Sequence, residues 1–144
     1  ALATLDRDNI FEACERFTNH PTCILNFLEG TRFSPAKHQQ RNSKYTHLLS
    51  PKIGGASYVL DAMREHLDSI LDITIYYPEG VPTFWDFLSG KNKNVIMQIK
   101  DFPTPEQSGT SSFDHKREVQ SLVEKIWEEK DLYLQDLNHE SLVS

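Results

Sequence analysis

The chain has 144 residues, of which 38% are hydrophobic and 25% charged, and this composition is typical of a single globular domain. Its formal net charge of -6 argues against a general nucleic-acid binder, because such proteins carry a basic patch. A small local basic site for a phosphate is compatible with that charge. No run approaches the roughly 18 consecutive apolar residues of a membrane span, and no signal peptide is visible at Ala1.

The first predicted element is a helix over residues 6–18, with Asp6 as its N-cap and apolar residues at helical spacing. Pro21 is expected to end it. Residues 22–28 form a short apolar run before Gly30, which predicts a buried strand. Near-continuous apolar strands are typical of a parallel sheet.

The two cysteines, Cys14 and Cys23, fall on this helix and this strand. No His or Cys lies at zinc-ligand spacing from either of them. We therefore expect two buried, reduced thiols. Reduced thiols favour a cytosolic or cytosol-facing location.

Residues 33–46 are polar and basic and show little periodicity, which predicts a long loop. The basic residues at and after its start are Arg32, Lys37, His38, Arg41 and Lys44. Long loops in compact domains are often functional. A solvated surface loop fits the same residues equally well.

Gly54 and Gly55 precede a second predicted helix that reaches residue 67. A helix N-terminus after glycine can bind an anion through its free amides, and Lys52 would add charge there. A turn that only needs glycine geometry is the preferred interpretation. Residues 72–77 alternate between apolar and polar and predict a strand.

The aromatic residues 84–88 are expected to pack over the core, in preference to touching acyl chains or the membrane interface. Residues 94–100 predict a third strand, and residues 102–112 a linker. A long amphipathic helix is predicted over residues 114–137, and residues 138–144 are expected to fray.

The segment FLEGTR, residues 27–32, delivers a carboxylate, a flexible amide, a hydroxyl and a guanidinium to one place. That set suits an anion such as a phosphate, because Arg offers a bidentate fork and Gly lets the backbone approach closely. The longer stretch FLEGTRFSPAK, residues 27–37, resembles the third conserved block of the glycerolipid acyltransferase family, which acylates lysophosphatidate and related acceptors. The resemblance continues in LLSPKIGG at 48–55, LDITIYYP at 71–78 and PTFWDFLSG at 82–90. The last of these resembles a signature of a membrane-associated bacterial subgroup.

The family's catalytic His-x-x-x-x-Asp motif does not occur in the chain. At the one candidate, Asn19-His20, Leu25 stands where the Asp would be, so His20 is interpreted as a helix-end residue. No catalytic residue is therefore assigned. We expect the chain to be the C-terminal part of a larger acyltransferase, with residues 1–112 in the acyltransferase domain and residues 113–144 as a C-terminal amphipathic helix and tail.

The resemblance implies an α/β fold, a partial glycerol-3-phosphate acyltransferase-like domain with a small mixed or parallel sheet flanked by helices. It implies acyl transfer from acyl-CoA or acyl carrier protein to the hydroxyl of a lysophospholipid or glycerol phosphate in phospholipid biosynthesis, with no metal or redox cofactor. It places the protein on the cytoplasmic face of the bacterial inner membrane, at the membrane surface and without a nucleic-acid partner. The alternatives are a non-catalytic module for acidic lipid or phosphate and, less favoured, a purely structural domain.

The resemblance also implies the substrate-binding residues, which are Glu29, Gly30, Thr31, Arg32 and Lys52. Arg32 would supply positive charge to the acceptor phosphate, and Gly30 a backbone amide. Glu29 would position the Arg or a hydroxyl. A simple ion pair between Glu29 and Arg32 at a strand end is the structural alternative.

Overall fold

The computed structural model describes residues 9, 12–14, 21–91, 94–104 and 112–143. Residues 9 and 12–14 are helical. The remaining elements, in chain order, are helix α1 (Pro35–Arg41), helix α2 (Gly54–Met63), a short 3₁₀ helix (Arg64–His66), strand β1 (Ile70–Tyr76), helix α3 (Phe84–Leu88), strand β2 (Ile96–Phe102) and helix α4 (Ser112–Val143).

Strands β1 and β2 form an antiparallel pair whose register runs from Ile70 opposite Phe102 to Tyr76 opposite Ile96. Side chains alternate between the two faces of a strand. The inner face carries the buried Thr74 and Phe102. The outer face is exposed and largely apolar, and it carries Leu71, Ile73, Ile75, Met97 and Ile99 together with Asp101.

Helix α4 builds the core against α2 and the inner face of the sheet. Its buried residues recur at helical spacing, at Val119, Val123, Ile126, Trp127 and Leu134. They pack with residues from the rest of the chain, namely Tyr45, Leu48, Leu60 and Phe102.

Polar contacts fix α4 to the segment that precedes α2. The Trp127 Nε1–H donates to the Leu49 carbonyl at 2.9 Å, and Leu49 is 0% exposed. The Asp131 carboxylate accepts from the Thr46 and His47 amides at 2.8 and 2.7 Å. These bonds pair backbone groups in a segment without regular structure, and backbone groups buried without partners are costly.

Several predicted elements are confirmed. The second predicted helix is present as α2, but it begins at Gly54 and so includes the two glycines that were expected to precede it. The strands predicted at 72–77 and 94–100 are present, with β1 starting two residues earlier and β2 two residues later. The long C-terminal helix is also present, but the fraying predicted from residue 138 is wrong, because α4 continues to Val143.

The strand predicted over residues 22–28 is wrong, since this segment is irregular. Leu25 and Phe27 are 70% and 76% exposed, and no described strand lies alongside to pair with the run. The sheet consequently has two strands, and they are antiparallel, where a mixed or parallel sheet was predicted. The broader glycerol-3-phosphate acyltransferase-like fold stays a prediction.

The long loop predicted over residues 33–46 contains α1. Ser34 caps this helix through its side-chain oxygen, and Pro35 occupies the first turn, where its missing N–H costs nothing. Asn42 ends the helix in the left-handed conformation, with a φ of 48°. The local signals for a helix start were therefore present without the apolar periodicity that would have revealed a helix.

Burial corrects two further predictions. Cys14 is buried as expected, whereas Cys23 is exposed because it lies in the irregular segment. Phe84, Trp85 and Leu88 are 68%, 74% and 59% exposed, so the expected packing of the aromatic segment over the core is wrong. The predicted first helix, His20 and the linker lie largely outside the described residues.

Candidate functional site

The candidate site is a tight turn that carries the Glu-Gly-Thr-Arg sequence. The Gly30 amide donates to the Phe27 carbonyl at 2.9 Å, and Gly30 has a φ of +64°. Glycine adopts this backbone conformation without steric cost. The same hydrogen bond occupies the amide that the resemblance assigned to a ligand, so Gly30 serves the site by shaping the turn.

Helix α1 places two cations against this turn. The Lys37 ammonium donates to Thr31 Oγ1 at 2.8 Å and to the Arg32 carbonyl at 3.3 Å. The Arg41 Nη1 donates to the Glu29 carbonyl at 2.9 Å. Three oxygen atoms of the turn are thus held by side chains from one short helix.

Lys52 approaches the turn from the other side. Its amide donates to the Leu28 carbonyl at 2.7 Å. Its side chain lies over Gly30, so that a Cβ placed there would be 3.4 Å from Lys52 Cδ and 3.6 Å from Nζ. The structure therefore brings all five predicted residues together. Lys52, which is distant from the other four in sequence, reaches the turn through this hydrogen bond and through its side chain.

Arg32 and Glu29 do not form the predicted structural ion pair, since no such pair occurs among the described residues. Arg32 is exposed, and its guanidinium contacts no described hydrogen-bond or ion-pair partner. Glu29 is half-buried and accepts a hydrogen bond from the Leu49 amide. Burial raises the pKa of Glu29, while that hydrogen bond and the nearby Lys130 and Arg41 act to lower it.

Glu29→Gln is expected to remove a pH dependence of stability. Because burial raises the Glu29 pKa above 4.5 in the folded state, the unfolded chain loses its proton first. Wild-type stability should then fall as the pH rises from about 4 through the folded-state pKa, and level off above it. Thermal melts at several pH values would show the wild type losing stability relative to the variant over this window. Parallel melting curves at every pH would contradict this account of Glu29.

Sequence reasoning placed Lys37 and Arg41 in a basic loop and did not assign them to the site. The signal that could have revealed them is the Ser34-Pro35 helix start, because it begins a helix within that segment. With Arg32 and Lys52, four cations lie on or against the turn, and Glu29 is the one acidic residue of the segment at 27–32. This local excess of positive charge occurs in a chain with a net charge of -6.

The described part of the chain contains no group of His, Cys, Asp and Glu side chains that could hold a metal ion. Within the same residues, no helix is both long and apolar enough to cross a membrane. The cations at the turn, Arg32 and Lys52 among them, suit an anion by their charge and N–H donors. None of the described site residues forms a base with an orienting partner.

No family model matches the chain, and no solved structure matches it. It is similar to curated proteins named lysocardiolipin acyltransferase 1. The one from Gallus gallus is 31% identical over 125 residues, and the one from Mus musculus is 30% identical over 125 residues, in each case 78% of this chain and 32% of the relative. The one from Danio rerio is 33% identical over 72 residues, which are 43% of this chain and 19% of the relative.

The chain spans about a third of the length of the first two relatives. These three relatives are vertebrate proteins, so the bacterial subgroup stays a prediction. The similarity covers 78% of the chain, and the names of these relatives agree with the resemblance to acyltransferases.

Proposed function

We propose that this chain supplies the acceptor-binding part of a lysophospholipid acyltransferase. In the proposed reaction, the hydroxyl oxygen of a lysophospholipid or glycerol phosphate attacks an acyl thioester. An oxygen ester forms, the thioester bond breaks, and the hydroxyl proton leaves with the thiol product. The donor would be acyl-CoA or acyl carrier protein. The support is the similarity to lysocardiolipin acyltransferases together with the cationic turn.

The observation that carries the proposal is the exposed guanidinium of Arg32 on a fixed turn, where none of the described residues pairs with it. An exposed Arg presents several N–H donors to a phosphate in a planar fork. Lys52 adds a second cation over Gly30, without a described acidic partner. Within the described part of the chain, neither of these two side chains has a hydrogen-bond or ion-pair partner, whereas Lys37 and Arg41 bond to the turn itself.

We place the proposed reaction at a membrane surface on its cytoplasmic face. Lysophospholipids are amphiphiles, and α3, in the connection between β1 and β2, exposes Phe84, Trp85 and Leu88. Tryptophan is suited to the boundary between headgroups and acyl chains, because its ring is apolar and its N–H is polar.

The rival function is a non-catalytic module that binds a phosphate or acidic lipid. The observation in its favour is that the sequence contains no His-x-x-x-x-Asp motif. The same turn would hold the phosphate in both cases. Incubation of the full-length protein that carries this chain with acyl-CoA and glycerol 3-phosphate separates them, because only an enzyme releases thiol in an acceptor-dependent way.

Arg32→Gln is expected to weaken the binding of glycerol 3-phosphate by about tenfold or more, since hydrogen bonds to charged groups contribute about 1.5–3 kcal/mol. Isothermal titration calorimetry with glycerol 3-phosphate and with glycerol would measure this effect. The wild type should bind the phosphate compound and not glycerol.

Lys125→Gln removes one positive charge from an exposed position on α4 and is the matched control. It should bind glycerol 3-phosphate as the wild type does. Equal weakening in the two variants would mean that Arg32 acts only through net charge. Unchanged affinity in Arg32→Gln would refute the proposed site.

A further inference from the structure

We infer that Lys37 is a positioning residue for the phosphate site, and that it sets the direction in which the Thr31 hydroxyl donates. The inference rests on the proposed function, because it concerns how the same turn meets the acceptor phosphate. Its basis is the hydrogen bond between Lys37 Nζ and Thr31 Oγ1 at 2.8 Å.

The direction of this hydrogen bond follows from the chemistry of its partners. A lysine ammonium has three donors and no acceptor, whereas a hydroxyl has one donor and two acceptor positions. Thr31 Oγ1 therefore accepts from Lys37, and the Thr31 O–H proton is left to donate elsewhere. A phosphate oxygen only accepts, so a hydroxyl fixed in this state is complementary to it.

The place of Lys37 is itself fixed by the start of α1. Ser34 Oγ accepts from the Lys37 amide at 3.3 Å, and Pro35 sets the backbone of the first helical turn. The half-buried Lys37 side chain reaches back to the turn and bonds two oxygen atoms, one on Thr31 and one on Arg32. Rotation of the Thr31 hydroxyl is thus restrained by a group that the helix cap holds.

The second hydrogen bond of Lys37 links it to the residue proposed to bind the phosphate. The Arg32 carbonyl accepts from Lys37 Nζ at 3.3 Å, which restrains the backbone from which the Arg32 side chain extends. Lys37 therefore influences two neighbouring donors of the site, the Thr31 hydroxyl and the Arg32 guanidinium, while its own ammonium donates to oxygen atoms of the turn. A residue in this role affects ligand binding through Thr31 and Arg32.

The test is a double-mutant cycle on glycerol 3-phosphate binding, with Lys37→Met, Thr31→Val and the combined variant. Each single substitution is expected to weaken binding by about tenfold, and the combined variant by clearly less than the product of the two losses, because Lys37 acts largely through the hydroxyl that Thr31→Val removes. Lys37→Arg should recover part of the affinity, since its guanidinium can still donate to Thr31. Lys125→Met is the matched control for the lost charge and should bind normally.

Far-ultraviolet circular dichroism and melting midpoints would identify any variant that fails to fold, and Lys37→Gln then replaces Lys37→Met in the cycle. Losses that multiply in the combined variant would overturn the inference and make Lys37 an independent charge. Unchanged binding in Lys37→Met, alongside weakened binding in Arg32→Gln, would overturn the inference and leave the proposed function standing. Absence of glycerol 3-phosphate binding by the wild type would overturn both.

Discussion

Trp127→Ala is expected to destabilise the chain by about 3–5 kcal/mol, the usual cost of truncating a buried tryptophan. Trp127 is 5% exposed and lies in the core between α4 and the rest of the chain. The substitution also removes the donor to the Leu49 carbonyl, which is buried. Because domains of this kind are stable by only about 5–15 kcal/mol, much of the folding free energy would be lost.

Urea denaturation followed by circular dichroism would measure this loss of stability. The chain has two tryptophans, and the second provides a matched control. Trp85 is 74% exposed, so Trp85→Ala should change stability by no more than about 0.5 kcal/mol. Trp127→Phe keeps most of the ring volume and isolates the hydrogen bond, at a cost of about 1–3 kcal/mol. Equal losses in Trp127→Ala and Trp85→Ala would show that the core is not centred on α4.

Lys130→Met is expected to lower the free energy of unfolding by about 3–5 kcal/mol, because it leaves the Asp72 carboxylate unpaired in a largely buried position. The Lys130 ammonium pairs with Asp72 on the inner face of β1, and the two side chains are 11% and 12% exposed. Lys130 also lies 5.1 Å from the centre of the Trp127 ring. Thermal and urea denaturation would both show the loss.

Further variants distinguish the effect of the unpaired Asp72 carboxylate from the effect of the packing lost with the Lys130 side chain. Adding Asp72→Asn to Lys130→Met should restore part of the stability, because the double variant no longer holds an unpaired carboxylate. The exposed pair of Lys44 and Glu128, 3.7 Å apart, is the control, and Lys44→Met should leave the melting midpoint almost unchanged. A double variant no more stable than Lys130→Met would contradict the role assigned to the buried pair.

The long helix was predictable because its apolar stripe repeats over many turns. The predicted stripe contained seven residues, of which four are buried and three half-buried: Val119, Val123, Ile126 and Leu134 in the first group, and Leu122, Tyr133 and Leu137 in the second. It did not contain Trp127, which directly follows Ile126 and widens the buried face by one position. The spacing of apolar residues shows which side of a helix is buried better than it shows how many neighbouring positions that buried side includes.

The short elements were less predictable, for two physical reasons. Helix α1 has seven residues and no buried side chain, so it leaves no apolar pattern in the sequence. The run at residues 22–28 has the apolar content of a buried strand, but a strand also needs a neighbour to pair with its backbone, and sequence composition does not supply one.

The candidate site was predictable where it is continuous in sequence. Residues 29–32 follow one another, and Lys52 was included through the family resemblance. Lys37 and Arg41 reach the turn only because α1 forms, so the failure to predict α1 also hid their contacts. The assignment of the Gly30 amide failed because a linear motif does not show which local carbonyl that amide meets.

The long-range contacts of α4 have a consequence for the order in which the site is assembled. Asp131 accepts hydrogen bonds from the amides of Thr46 and His47, which precede it by 85 and 84 positions. Trp127 donates to Leu49, which precedes it by 78 positions. The amide of Leu49 also donates to the Glu29 side chain, which belongs to the candidate site. On a ribosome adding about 5–20 residues per second, the turn is therefore synthesised several seconds before the helix that completes its support. Until then, the turn is supported by its contacts with Lys37, Arg41 and Lys52.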